Sequence, residues 1–221
     1  MLGNAAIACS HWTRLQAGNL RWIEDRSAAH GNRGAARRAE ISRSQAPFAL
    51  VLGCSDSRVP AEILFDQGLG DIFVVRTAGH VVDSAALGSV EYAIEVLGTR
   101  LIVVLGHEEC GALAAATRLL DDAQLPPGHI RDIAERIAPN ILRAPNAGAT
   151  TATDIIGQHA VYTVEHLAQR SQIVNDAIRR GAVTAVPALY SLTTGAVAEV
   201  DPRPEAAGRL SQRSLLATTG A

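Results

Sequence analysis

Cys54, His107 and Cys110 are the residue types in this chain that could act together on a metal ion. The first two each follow an apolar run ending in glycine. Phe48-Ala49-Leu50-Val51-Leu52-Gly53 leads into Cys54, and Leu101-Ile102-Val103-Val104-Leu105-Gly106 leads into His107. Such runs suit parallel strands covered on both faces, and ligands of open α/β sheets sit outside the carboxyl ends of those strands. Cys110 lies three residues beyond His107, where a turn opens a helix whose amino end favours thiolate. Taken one at a time, each residue has a bland explanation: a small buried cysteine or a satisfied loop histidine. Delivered together at two strand ends, they match a ligand set used for catalytic zinc, three protein ligands with the fourth position open. Zn2+ is the expected cofactor.

Asp56 stands two residues past Cys54, and Arg58 two further. In a turn this spacing allows a carboxylate–guanidinium pair beside the metal. It reads as a switch: Asp56 either serves as a fourth ligand or pairs with Arg58 and leaves that position to water.

The rest of the chain must place these groups. Of its 221 residues 48% are hydrophobic but only 4% aromatic, which suits a core of Ala, Val, Leu and Ile in an α/β protein. The net charge of −2 gives no electrostatic case for nucleic acid or an anionic membrane. The sequence contains no lysine, which excludes Schiff-base and P-loop chemistry. Three cysteines, two of them in the proposed site and Cys9 alone, do not make a disulfide framework, so a reducing, cytoplasmic setting is expected. No run approaches the length of a membrane span.

Residues 10–26 are expected to form an amphipathic arm helix, capped by Ser10, interrupted at Gly18-Asn19 and carrying Trp12 and Trp22. The tryptophans suit packing on the chain's own core or across a partner subunit. Residues 27–45 read as a solvated connection. Further strands are expected at 72–76 and 182–192, with an edge strand at 196–200. Helices are expected at 84–97 (capped by Ser84), 110–120, 130–142, 154–168 and up to 180, with 144–153 a small-residue loop. The predicted fold is α/β. It has a central, mostly parallel sheet of four parallel strands plus an antiparallel edge strand, flanked by helices, with an N-terminal helical arm. One domain is expected over 1–221, with the arm and connection at 1–45, the catalytic core at 46–200 and a weakly ordered tail at 201–221.

Cys-Ser-Asp-Ser-Arg-Val-Pro at 54–60, Phe-Val-Val-Arg-Thr-Ala-Gly at 73–79 and Gly-His-Glu-Glu-Cys-Gly at 106–111 resemble, in this order and spacing, the β-class carbonic anhydrases. The resemblance spans roughly residues 11–200. It implies zinc on Cys54, His107 and Cys110, and Asp56 with Arg58 as the dyad. It also implies Gln45, nine residues before Cys54, as a substrate-orienting group reaching the site across a subunit interface. The implied activity is reversible hydration of carbon dioxide to bicarbonate and a proton by a hydroxide held on the zinc. The implied assembly is a homodimer, or a tetramer as a dimer of dimers. Hydrolysis of carbonyl sulfide or carbon disulfide on the same site is the alternative enzyme reading, and a zinc-stabilised binding module the non-catalytic one.

His80 and Glu109 are conceivable proton relays, but a surface histidine and a helix-start glutamate are the preferred readings. His11, His30, His129, His159 and His166 show no ligand spacing and are assigned to packing or solvent. The sequence departs from the family at Thr77 and His80, where many members have asparagine, and at Pro187, where glycine is common. Val51 replaces the tryptophan of bicarbonate-regulated members.

Overall fold

Alternation along two neighbouring strands organises the molecule. In β1 (Ala49–Cys54) and β3 (Leu101–His107) every residue is buried, so both faces of the sheet must be covered. Ala49, Val51, Leu101, Val103 and Leu105 enter one core cluster; Leu50, Leu52, Ile102 and Val104 enter the other. The period of two along each strand sends successive side chains to opposite faces.

The computed structural model describes residues 4–28 and 32–201, with side chains from residue 10. Expectations for the Cys9 side chain, His30 and the tail beyond residue 201 lie outside the described residues. Besides β1 and β3 the chain forms β2 (Ile72–Thr77), β4 (Thr184–Tyr190) and β5 (Val197–Glu199). The helices are α1 (Asn4–Ile23), α2 (Ala35–Glu40), α3 (Ala61–Leu64), α4 (Ser84–Glu95), α5 (Gly111–Asp121), α6 (Ile130–Arg143), α7 (Ala152–Arg170) and α8 (Gln172–Arg179). The sheet order is β2-β1-β3-β4-β5, with β5 antiparallel to β4 and all other pairs parallel, as expected from the strand and helix pattern. Since β1 leads to β2 on one side and the chain then returns to β3 on the other, the order reverses between β1 and β3. That reversal opens a crevice beyond their carboxyl ends.

Several local expectations are corrected. α1 runs unbroken through Gly18-Asn19, and Ser10 lies inside it rather than at its cap. The two residues that suggested a break make a docking point instead. A Cβ at Gly18 would lie 1.8 Å from the Phe65 carbonyl oxygen, so only glycine lets the helix approach this closely. Asn19, buried, donates to the carbonyls of Leu64 and Gly195 and accepts from Val197 N. Both tryptophans pack on the chain's own first core cluster, Trp12 against Phe65.

Asp83, not Ser84, caps α4, its carboxylate accepting from Ala86 N at 2.8 Å. The connection at 27–45 contains α2, and the short α3 follows directly on the Cys54–Pro60 stretch. The 144–153 stretch is a 3₁₀ turn (Ala144–Ala147) followed by a capping box, in which Thr151 and Asp154 bond each other's backbone N–H and start α7. Pro187 sits within β4. Its carbonyl accepts from Val200 N, so its nitrogen faces the end of β5 and the ladder to β3 keeps its donors.

Candidate metal centre

Cys54 ends β1, His107 ends β3, and Cys110 is the residue on which α5 starts. The ligand atoms of all three lie within 4.8 Å of one another, and all three residues are buried. Among the described residues this is the one group of its kind. The expected convergence at the β1–β3 crevice is what the structure contains.

The donors are prepared for a cation. His107 Nδ1 lies 2.7 Å from the Glu108 carbonyl, which fixes the proton there and leaves Nε2 with its lone pair. Nε2 is buried and makes no hydrogen bond of ordinary geometry within the protein. A buried acceptor left this way is costly unless a cation or donor meets it. The hydrogen bond from Cys110 holds the Cys54 thiol well below the ordinary cysteine range, against the opposing effect of burial, with His107 and the Gly79 and Asp56 backbone assisting. The same hydrogen bond, together with burial, pushes Cys110 up. Burial works against charging His107, but the neighbouring Cys54 sulfur, the Glu108 carbonyl and Asp56 outweigh it and raise its basicity. A soft, partly charged set of two sulfurs and one nitrogen fits Zn2+.

Beside the donors lies Asp56. Its Oδ1 accepts from the Arg58 backbone N–H and from Nε, both at 2.9 Å, and its Oδ2 accepts from the other arm of the guanidinium at 2.7 Å. Arg58 holds the carboxyl well below the ordinary carboxylate range. Asp56 Oδ2 stands 4.0 Å from His107 Nε2, at the edge of the donor set. Of the two arrangements open to Asp56, the arginine-paired one is seen. Gln45 is exposed, before the amino end of β1, whereas the donors cluster at the carboxyl end. Six strand residues at about 3.3 Å each separate them by roughly 20 Å, so Gln45 is not brought to the donors of its own chain.

Other contributors carry no sequence signal of ligand spacing. Arg76 braces the backbone of residues 54–56, donating to the carbonyls of Cys54 at 2.9 Å and Asp56 at 2.6 Å. Glu108 ties the turn after β4 to the site by accepting from Ser191 Oγ and Leu192 N. Gly79 N donates to Cys54 Sγ at 3.3 Å. His80, expected at the surface, is a correction: it is 1% exposed and its ring stacks on His159 with centroids 4.4 Å apart. That burial lowers its basicity well below the usual histidine value. Glu109 is exposed, with Arg58 near its carbonyl.

The profile of the carbonic anhydrase family matches residues 49–197. The chain belongs to the β-class carbonic anhydrases. A carbonic anhydrase of Mycolicibacterium smegmatis is 47% identical over 186 residues, covering 84% of this chain and 90% of that protein. Carbonic anhydrase 2 of Mycobacterium tuberculosis is 46% identical over 184 residues, 83% of this chain and 88% of that one. Among solved structures, the Coccomyxa β-carbonic anhydrase bound to acetazolamide superposes with a TM-score of 0.66 at 26% identity, covering 83% of each chain. A tetrameric β-carbonic anhydrase of Sordaria macrospora gives 0.66 at 24% identity over 83% of this chain and 93% of its own, a likeness of fold. As members of this family are zinc-dependent lyases, so is this chain. No helix among the described residues is long and apolar enough to cross a membrane.

Proposed function

We propose that this protein is a carbonic anhydrase that converts carbon dioxide and water reversibly to bicarbonate and a proton. In this reading Cys54, His107 and Cys110 hold Zn2+, and Asp56, Arg58 and Gln45 orient the reactants. The observation that carries it is the buried Cys-His-Cys donor set with an arginine-paired carboxylate 4.0 Å from its imidazole. Zinc, when bound, supplies Lewis acidity and makes water available as a nucleophile at neutral pH.

The chain's own residues do the rest. Asp56 is ionised and cannot donate, so it accepts a hydrogen bond from the attacking oxygen and aims a lone pair at the carbon. Arg58 occupies both carboxylate oxygens and keeps Asp56 from turning toward the donors. Arg76 fixes the backbone of the loop that carries this pair. Gln45 donates to a substrate oxygen. Its place at the far end of β1 favours delivery from a neighbouring subunit, and a homodimer or a dimer of dimers is the assembly proposed. The proton released passes to buffer, in a cytoplasmic setting.

Stopped-flow carbon dioxide hydration on reduced protein of measured zinc content tests the proposal, with sulfide release from carbonyl sulfide followed on the same preparation. Rapid hydration is expected. Zinc at one per chain with no hydration would remove the proposal, and sulfide release outpacing hydration would replace it.

A further inference from the structure

The turn after β2 is wound the wrong way for ordinary residues. Gly79 has φ +63° and ψ 24°, and His80, which is not glycine, has φ +43°. A left-handed non-glycine residue costs about 1–3 kcal/mol and persists only where its surroundings over-determine it. The turn also delivers the Gly79 N–H to Cys54 Sγ at 3.3 Å. Relaxing it would rotate that N–H away from the sulfur.

What holds the turn is mostly on another helix. Thr77 Oγ1 closes it locally by donating to the Val81 carbonyl at 2.7 Å. The Gly79 carbonyl lies 3.0 Å from Nε2 of His159, on α7, eighty residues away. His159 Nδ1 lies 2.8 Å from Asn140 Nδ2, on α6. These contacts fix the tautomer. A lone pair on Nε2 would repel the carbonyl, so Nε2 carries the proton and donates, while Nδ1 accepts from the Asn140 amide. The His159 ring also stacks on His80, and its own carbonyl accepts from Thr163 Oγ1 at 2.8 Å. The imidazole is therefore pinned on both nitrogens and one face.

We propose that His159 is a positioning residue for the metal site: by holding the left-handed Gly79-His80 turn from α7, it keeps the Gly79 N–H aimed at the Cys54 sulfur. The inference rests on Cys54 being a zinc ligand. The link is mechanical. The Gly79 N–H and C=O belong to different peptide groups, so His159 acts through the backbone geometry of one residue. Outer partners of metal ligands influence affinity about 10–100-fold when lost.

The test compares His159→Phe and His159→Gln with the unaltered protein. His159 borders a cavity of about 270 Å3, which gives the phenyl ring room. Phenylalanine keeps the stacking and removes the donor; glutamine can restore an N–H toward the Gly79 carbonyl. Zinc affinity is read by chelator competition, and the thiolate-to-metal charge-transfer band by cobalt substitution. His159→Phe should lose roughly 10–100-fold in zinc affinity and shift the cobalt band, and His159→Gln should recover most of both. Equal zinc affinity and an unmoved band in His159→Phe would overturn the inference, as would equal losses in the two variants. Should His159→Phe fail to fold, Asn140→Leu, which releases the tautomer, must show the band shift or the inference falls. Unaltered protein that takes up no zinc would overturn the metal reading itself.

Discussion

Asp56 has three N–H donors from Arg58 on its two oxygens and is kept ionised by them. An acceptor placed this firmly beside a donor set orients a nucleophile without competing for the metal. Asp56→Ala should therefore lower kcat for hydration by about 10²–10³-fold, the scale for removing one oriented polar group from an active site, while zinc stays at one per chain. A loss of zinc in step with activity would instead assign Asp56 to holding the metal. Cys54→Ala should behave oppositely. It removes a thiolate from the buried donor set and leaves His107 Nε2 without a cation, so purified protein should carry little zinc by elemental analysis. Retention of a full equivalent would exclude Cys54 as a ligand.

At the level of elements, what the sequence made legible follows from how local each signal is. β1 and β3 could be read because a buried parallel strand writes itself as an unbroken apolar run, and a motif follows each run directly. The meeting of Cys54 with His107 then required only that the strands be neighbours. The failures involve contacts that spacing does not encode. Gly18-Asn19 has the composition of a break, yet it is the place where α1 touches α3 and the turn before β5, 45 to 178 residues away. His80 and His159 carry no ligand spacing because their partners are a backbone carbonyl, an amide and each other across α6, α7 and the turn after β2. Gly18→Ala tests the docking point. Its Cβ would need the Phe65 carbonyl to retreat from 1.8 Å, and backbone cannot swing aside as a side chain can. A loss of about 1–3 kcal/mol or more in urea unfolding is expected, the cost of overpacking, although alanine is the better helix former. A stabilised variant would show that helix propensity governs α1 and that the close approach does not.

Across the whole molecule, α7 and the turn after β2 enclose two imidazoles, His159 and His80, whose burial disfavours a positive charge. Burial brings His159 down to about 4 from an ordinary value of 6.5, and it lowers His80 in the same direction. Facing His159 are the Gly79 carbonyl, the Asn140 amide and the His80 ring. The Gly79 carbonyl and the Cys54 sulfur favour a positive charge there, and burial overcomes both. A histidine whose folded-state value is depressed binds its proton more readily in the unfolded chain. The stability it contributes is complete above about pH 6.5 and is lost as pH falls toward 4. For His159 the difference between 6.5 and about 4 corresponds to about 3 kcal/mol, a large share of the total for a domain. Carboxylate pairs and metal release also weaken the protein in acid, so the informative quantity is a difference. The fall in urea midpoint of zinc-loaded protein between neutral pH and pH 5 should be clearly shallower in His159→Gln, whose amide does not titrate, than in the unaltered chain. Superimposable pH profiles for the two proteins would mean that His159 is as easily protonated folded as unfolded, and that the helical layer tolerates charge there.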